Sequence, residues 1–107
     1  MGDRLGEATG LASLGVVYFH QGRHDEAIAC QEESLTIFRE IGYRPGEAEA
    51  LRDLGDALQA VGRGQQAGAA WQDALVICET LQIPEADELR DRLATLLSEV
   101  AQPRASE

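Results

Sequence analysis

At 107 residues with 44% hydrophobic content, the chain has room for one domain with a modest core and none for a second, and it is too apolar for wholesale disorder. No apolar run approaches the roughly 20 residues needed to cross a bilayer, and the first residues lack the basic and apolar stretches of a secretion signal, so a cytosolic location is expected. Nineteen acidic residues against nine basic ones leave a formal net charge of −10, which disfavours direct contact with a phosphate backbone.

In chain order, Leu11, Leu14, Val17 and Tyr18 recur at spacings of three and four, the mark of a one-sided helix, which is predicted over 3–21. Gly22 stops it, and His24-Asp25 opens a second helix over 25–41 carrying Ala27, Ile28, Leu35, Ile37 and Phe38. Pro45 falls in the next turn, close to the start of a helix over 46–61 with Leu51, Leu54 and Leu58 on one side. Gly62 ends that run, and Gly64-Gln65 opens a helix over 65–81 with Ala67, Ala70, Trp71, Ala74, Leu75 and Ile77. Pro84 precedes a last helix over 85–101, and residues 102–107 are expected to be a disordered tail.

These elements repeat. Setting residue i against i+40 pairs Gly6-Glu7-Ala8 with Gly46-Glu47-Ala48, Leu11 with Leu51, and Leu14-Gly15 with Leu54-Gly55. Gly22-Arg23 then pairs with Gly62-Arg63, Ala27 with Ala67, Leu35 with Leu75 and Ile37 with Ile77. The shared positions are mainly small or apolar, as a packing code requires. The expected organisation is a first repeat at about 6–42, a second at about 46–82 and a capping helix at about 85–101, all within one domain. The cap begins as a third copy, Glu85-Ala86 and Leu89-Arg90-Asp91 echoing Glu47-Ala48 and Leu51-Arg52-Asp53, then drifts polar. The fold class is therefore all-α: antiparallel helix hairpins stacked as a short right-handed solenoid of about five helices. Met1 to Gly6 lines up with Ile41 to Gly46, the end of a second helix, so excision from a longer array is expected.

Gly15 and Gly55 stand inside predicted helices, where glycine costs about 1 kcal/mol relative to alanine. Close approach of the partner helix is the expected compensation, with Ala27 and Ala67 facing the two glycines. Cys30 and Cys78 sit singly among apolar residues and read as small core side chains rather than a disulfide or redox pair. His20 and His24 are four apart beside Asp25 and Glu26, which has metal-ligand spacing, but Gly22 interrupts the helix between them and spoils a shared face. Neither cysteine has an adjacent histidine base, and the neighbouring acids of Glu32-Glu33 and Asp87-Glu88 point about 100° apart on a helix. No enzyme activity, metal or cofactor is expected.

Leu11, Leu14, Gly15, Tyr18, Gly22 and Ala27, together with Leu51, Leu54, Gly55, Leu58, Gly62 and Ala67, match the pattern of the tetratricopeptide repeat, and the chain resembles that family over nearly its whole length. The 40-residue period resembles the longer-helix variant of kinesin light chains and bacterial signalling proteins. The wording GEAxxLxxLGxxxxxxGRxxxA and LxIFREIG is similar to the C-terminal arrays of actinobacterial transcriptional regulators and related nucleotide-switch ATPases. All nine basic residues are arginine, with lysine and asparagine absent, a usage that itself suggests a GC-rich bacterial genome.

The resemblance implies a protein-protein interaction scaffold, the sensor or assembly arm of a larger bacterial regulatory protein, that binds a peptide or protein on the concave face made by first helices. It carries that face onto Val16, Phe19 and His20, then Glu49, Arg52, Asp56 and Gln59, and Arg90 in the cap. Val16 and Phe19 would make an apolar pocket beside a polar clamp of Glu49, Arg52 and Asp56, or would instead cover an upstream repeat while the charges form a solvated face. Homo-oligomerisation through the same face, by Val16 and Phe19, is the alternative function. The lysines and asparagines with which some family members hold a terminal carboxylate are absent, although Arg52 and Arg90 offer sites for an acidic ligand and the acidic total favours a basic one.

Overall fold

Glycine turns the chain where the apolar stripes end. Gly22 and Gly62 have φ of 78° and 82°, a left-handed conformation that costs glycine nothing and closes the preceding helix. The amide of Arg23 donates to the Tyr18 carbonyl at 2.9 Å, and that of Arg63 donates to the Leu58 carbonyl at 2.9 Å. In the computed structural model, which describes residues 3–101, the result is five helices: α1 (Arg4–His20), α2 (His24–Ile41), α3 (Arg44–Ala60), α4 (Gly64–Leu81) and α5 (Ala86–Ala101). Among those residues there is no strand. The helices lie where periodicity puts them, within two residues at each end; the tail expected at 102–107 falls outside the described residues.

Each helix packs on its successors in sequence, α1 on α2, α2 on α3, α3 on α4 and α4 on α5, while α1 also touches α3. The first helices of successive hairpins therefore line one face and α2 and α4 the other, an arrangement of stacked helical hairpins. The core runs through the stack as small residues at close crossings, Ala27, Ala50, Ala57, Ala67 and Ala74, with Phe38, Leu51, Trp71 and Leu89 filling the wider spaces. A buried carboxylate ties α2 to α3 through two half-exposed arginines: Glu47 accepts from Arg39 at 3.0 Å and from Arg44 at 2.8 Å. The two cysteines are buried and free, and burial pushes both thiols up, which keeps them protonated and unreactive at neutral pH.

The two interior glycines do mark crowded crossings, but not against the expected alanines. A Cβ on Gly15 would stand 2.6 Å from the Gln31 amide nitrogen, and one on Gly55 would stand 2.3 Å from the Trp71 indole nitrogen. The crossing lies one helical turn beyond Ala27 and Ala67, which are themselves buried lower in each hairpin. Residues 31 and 71 occupy the same place in the two repeats, and each sends a donor over its glycine to a backbone carbonyl. Gln31 Nε2 donates to Ala12 O at 3.0 Å, and Trp71 Nε1 to Arg52 O at 3.3 Å.

One face of α1 is left apolar and open. In α3, which packs against both α2 and α4, Leu54 and Ala57 are buried; their counterparts in α1, Leu14 and Val17, are 42% and 49% exposed.

Gly55→Ala is expected to destabilise the fold by about 1–3 kcal/mol, because the rigid indole of Trp71 cannot yield, even though alanine is the better helix former. Gly15→Ala should cost less, since the Gln31 amide it meets is the far end of a flexible side chain, and Gly10→Ala, with nothing in reach of its Cβ, should stabilise by about 0.5–1 kcal/mol. Urea unfolding midpoints of the three variants check this order.

Candidate partner-binding groove

The face lined by α1, α3 and α5 carries side chains from every third or fourth residue of each helix, as helical geometry requires. Between α1, α2 and α3 it sinks into a cavity of about 100 Å³ walled by Val16, Phe19, Ala27 and Gln31, with Asp53 and Asp56 opposite and His20 at its edge. Along the same helices a more open depression continues past Glu49 and Arg52. Further on, between α3 and α5, Gln59 lies beside Arg92 and Leu96.

The acids and arginines of this face are held in a chain. Arg92 Nε donates to Asp56 Oδ1 at 2.9 Å, bridging α5 to α3, and Trp71 Nε1 donates to the same oxygen at 3.2 Å. Next to it, Arg52 Nε donates to Asp53 Oδ1 at 3.1 Å. Burial pushes the Asp53 carboxyl above its usual range, with Arg52 acting against the rise and Asp56 adding to it. Burial by itself would lower Arg52, but Asp53 first, then Glu49 and Asp56, outweigh it and hold the guanidinium more firmly charged than usual.

Of the residues expected on this face, Val16, Phe19, His20 and Asp56 come together around the cavity, and Glu49 and Arg52 line the depression that adjoins it. Gln59 sits on the α5 side of α3. Arg90 stands apart: its guanidinium turns to Glu79 and Asp87, each at 2.7 Å, and Arg92 takes the place toward α3 that Arg90 was expected to fill. In the alignment that pairs Arg90 with Arg52, Ala86 and Leu89 are buried like Ala48 and Leu51, and Arg92 stands in the place of the buried Leu54. Asp53 and Gln31 were not singled out from sequence; the only signal for them was the contrast of Gln31 with Trp71 at equivalent positions. His20 and His24 both lie against Phe19, with ring centroids 5.7 and 5.1 Å away, and among the described residues no three metal-ligating side chains gather.

The sequence model of the tetratricopeptide repeat matches residues 6–80. The chain belongs to the tetratricopeptide repeat family. It is 38% identical over 83 residues to the regulatory protein AfsR of Streptomyces griseus, covering 78% of this chain and 8% of that protein. It is 40% identical over 61 residues to G-protein-signaling modulator 1 of Homo sapiens, covering 57% of this chain and 9% of that protein. The chain thus spans less than a tenth of the length of either relative. The first match agrees with the resemblance of the repeat wording to actinobacterial regulators. Tetratricopeptide repeats are interaction scaffolds rather than catalysts, and among the described residues no helix is long and apolar enough to cross a membrane.

The raised Asp53 carboxyl has a consequence for stability. A folded-state pKa above the unfolded value means that ionised Asp53 weighs against the fold at neutral pH, and that this penalty fades as pH falls through the raised value into the ordinary carboxylate range. Asp53→Asn is expected to match or exceed the parent in stability at neutral pH and to lose that advantage in acid, where the parent's carboxyl is protonated in both states. Urea titrations at the two pH values check the sign.

Proposed function

We propose that the chain serves as the sensor or assembly arm of a larger, cytoplasmic bacterial regulator, capturing a peptide or protein partner in the groove between its first helices. The observation that carries this reading is the convergence of Val16, Phe19 and Asp56 on one cavity, continuous with Glu49 and Arg52. Apolar side chains beside fixed charges suit an extended segment, the former supplying contact area and the latter fixing direction. The Streptomyces regulatory protein supports the context, as a far longer protein, 8% of which matches most of this chain's repeats. Arg52 is held between acids on three sides, so its charge serves the groove as part of a network, and a segment lying there meets alternating sign rather than a single-sign field.

Selection of peptides from a random display library on the immobilised domain tests the proposal. Enriched peptides should lose binding to Phe19→Asp and Arg52→Glu while keeping it for Thr36→Asp on the opposite face. Peptides that bind all three variants alike would place capture elsewhere and sink the groove reading.

Self-association is a second reading, favoured by one observation: the open apolar patch of Leu14 and Val17 on α1. Val16 and Phe19 suit it less well, since they already line the cavity beneath α3. The far end of the stack is covered by α5, so two copies would meet α1 to α1, as a two-fold contact. Sedimentation velocity over a wide concentration range should then show a dimer that Leu14→Asp abolishes and Phe19→Asp does not; a mass independent of concentration would exclude it.

A further inference from the structure

The two repeats differ at the cavity between α1, α2 and α3. In the second, the Trp71 ring lies over Gly55 and its single N–H is shared between Arg52 O and Asp56 Oδ1, so its donor is satisfied and a more open depression beside Gln59 and Arg92 is what remains. In the first, glutamine stands at the tryptophan position and valine at the aspartate position: Gln31 reaches Ala12 O with its Nε2, and Val16 offers it nothing. What remains is the cavity between α1, α2 and α3.

Its chemistry is one-sided. Gln31 is 1% exposed and lines the wall, and its Oε1 is buried without a hydrogen-bond donor. The amide cannot rotate to relieve this, because its nitrogen is fixed by the Ala12 carbonyl and a turned amide would set oxygen against oxygen. Facing it are two carboxylates from α3. Asp56 is engaged by Arg92 and Trp71, and Asp53 by Arg52 through Oδ1, its Oδ2 finding no donor among the described residues. The remaining walls are the apolar Val16, Phe19 and Ala27 and the Gly15 backbone, with His20 at the edge. An unmet amide oxygen and a carboxylate lining one small, largely apolar cavity call for a ligand with a hydrocarbon stem and a cationic, donor-only head. Phe19 offers its ring to the same charge. An acidic or hydroxylic side chain would bring acceptors where only donors are wanted.

We propose that this cavity receives a lysine or arginine side chain of the partner segment. The proposal rests on the groove being a partner-binding surface and names what one subsite of it selects.

The test uses small probes: Nα-acetyl-arginine amide, Nα-acetyl-lysine amide and the uncharged Nα-acetyl-norleucine amide, titrated at millimolar concentration and followed by nitrogen-proton NMR. The cationic probes should shift the Gln31 side-chain amide and the backbone amides of Gly15 and Asp53, and the norleucine probe should not. Asp53→Asn should weaken binding about tenfold, the scale of one charge-assisted hydrogen bond. Gln31→Trp, which installs the second repeat's packing residue, should abolish it with helix content preserved. Asp87→Asn, an equal change of charge on the exposed start of α5, should leave it unaltered. Equal weakening by Asp87→Asn, shifts spread over the acidic surface, or equal binding of the norleucine probe would each overturn the proposal. Display-selected peptides that need Phe19 and Arg52 yet contain no lysine or arginine would overturn it too, while leaving the scaffold reading in place.

Discussion

The close crossing of helices over Gly15 and Gly55 is the constraint on which the rest of the molecule depends. At those two points the first helix of a hairpin presents bare backbone, and the second helix lays a large side chain directly on it. The glycine sacrifices helix propensity, about 1 kcal/mol relative to alanine, and in return the partner chain reaches an otherwise shielded carbonyl. Because Gln31 and Trp71 each donate to that carbonyl, the crossing is fixed in register as well as in distance. Every later feature, from the stacking of α3 on α2 to the line of first helices along one face, follows from hairpins locked at this point.

Identical geometry with different side chains makes the two repeats unequal. Trp71 fills its site and ties down Asp56, which Arg92 then uses to dock the last helix. Gln31 keeps the crossing but leaves a cavity, and the acids that α3 turns toward α1 become its far wall. The groove is therefore graded. Its first part is an enclosed cavity with an unmet acceptor, and its later part is a more open depression beside an internal network of arginines and acids.

The net charge of −10 gains a local meaning in this setting. Arginines are largely consumed by neighbouring carboxylates: Arg4, Arg23, Arg39, Arg44, Arg52, Arg90 and Arg92 all make ion pairs. Most of these pairs are at the surface, where each contributes little to stability. The buried Glu47 between Arg39 and Arg44 is different, since it would be costly alone and is paired on both sides. With the cations so committed, the surplus acid is what a partner meets.

The forty-residue repetition, the five helices and their turns were legible in the sequence, because they depend on local physics: apolar residues at helical spacing, glycine where φ must be positive, and proline near a helix start. Membership of the family followed from the same positions. The face on which a residue stands was also legible, so Val16, Phe19, His20 and Asp56 could be grouped before their distances were known. Tertiary structure alone decided which residue meets which. Gly15 faces Gln31 rather than Ala27 because the crossing point is set by two helices packing together, and Arg92 rather than Arg90 reaches α3 because it stands on α5 where the buried Leu54 stands on α3. The cavity is likewise invisible in a linear pattern, since it is the volume left when glutamine stands where the neighbouring repeat has tryptophan, and empty space has no letter in a sequence.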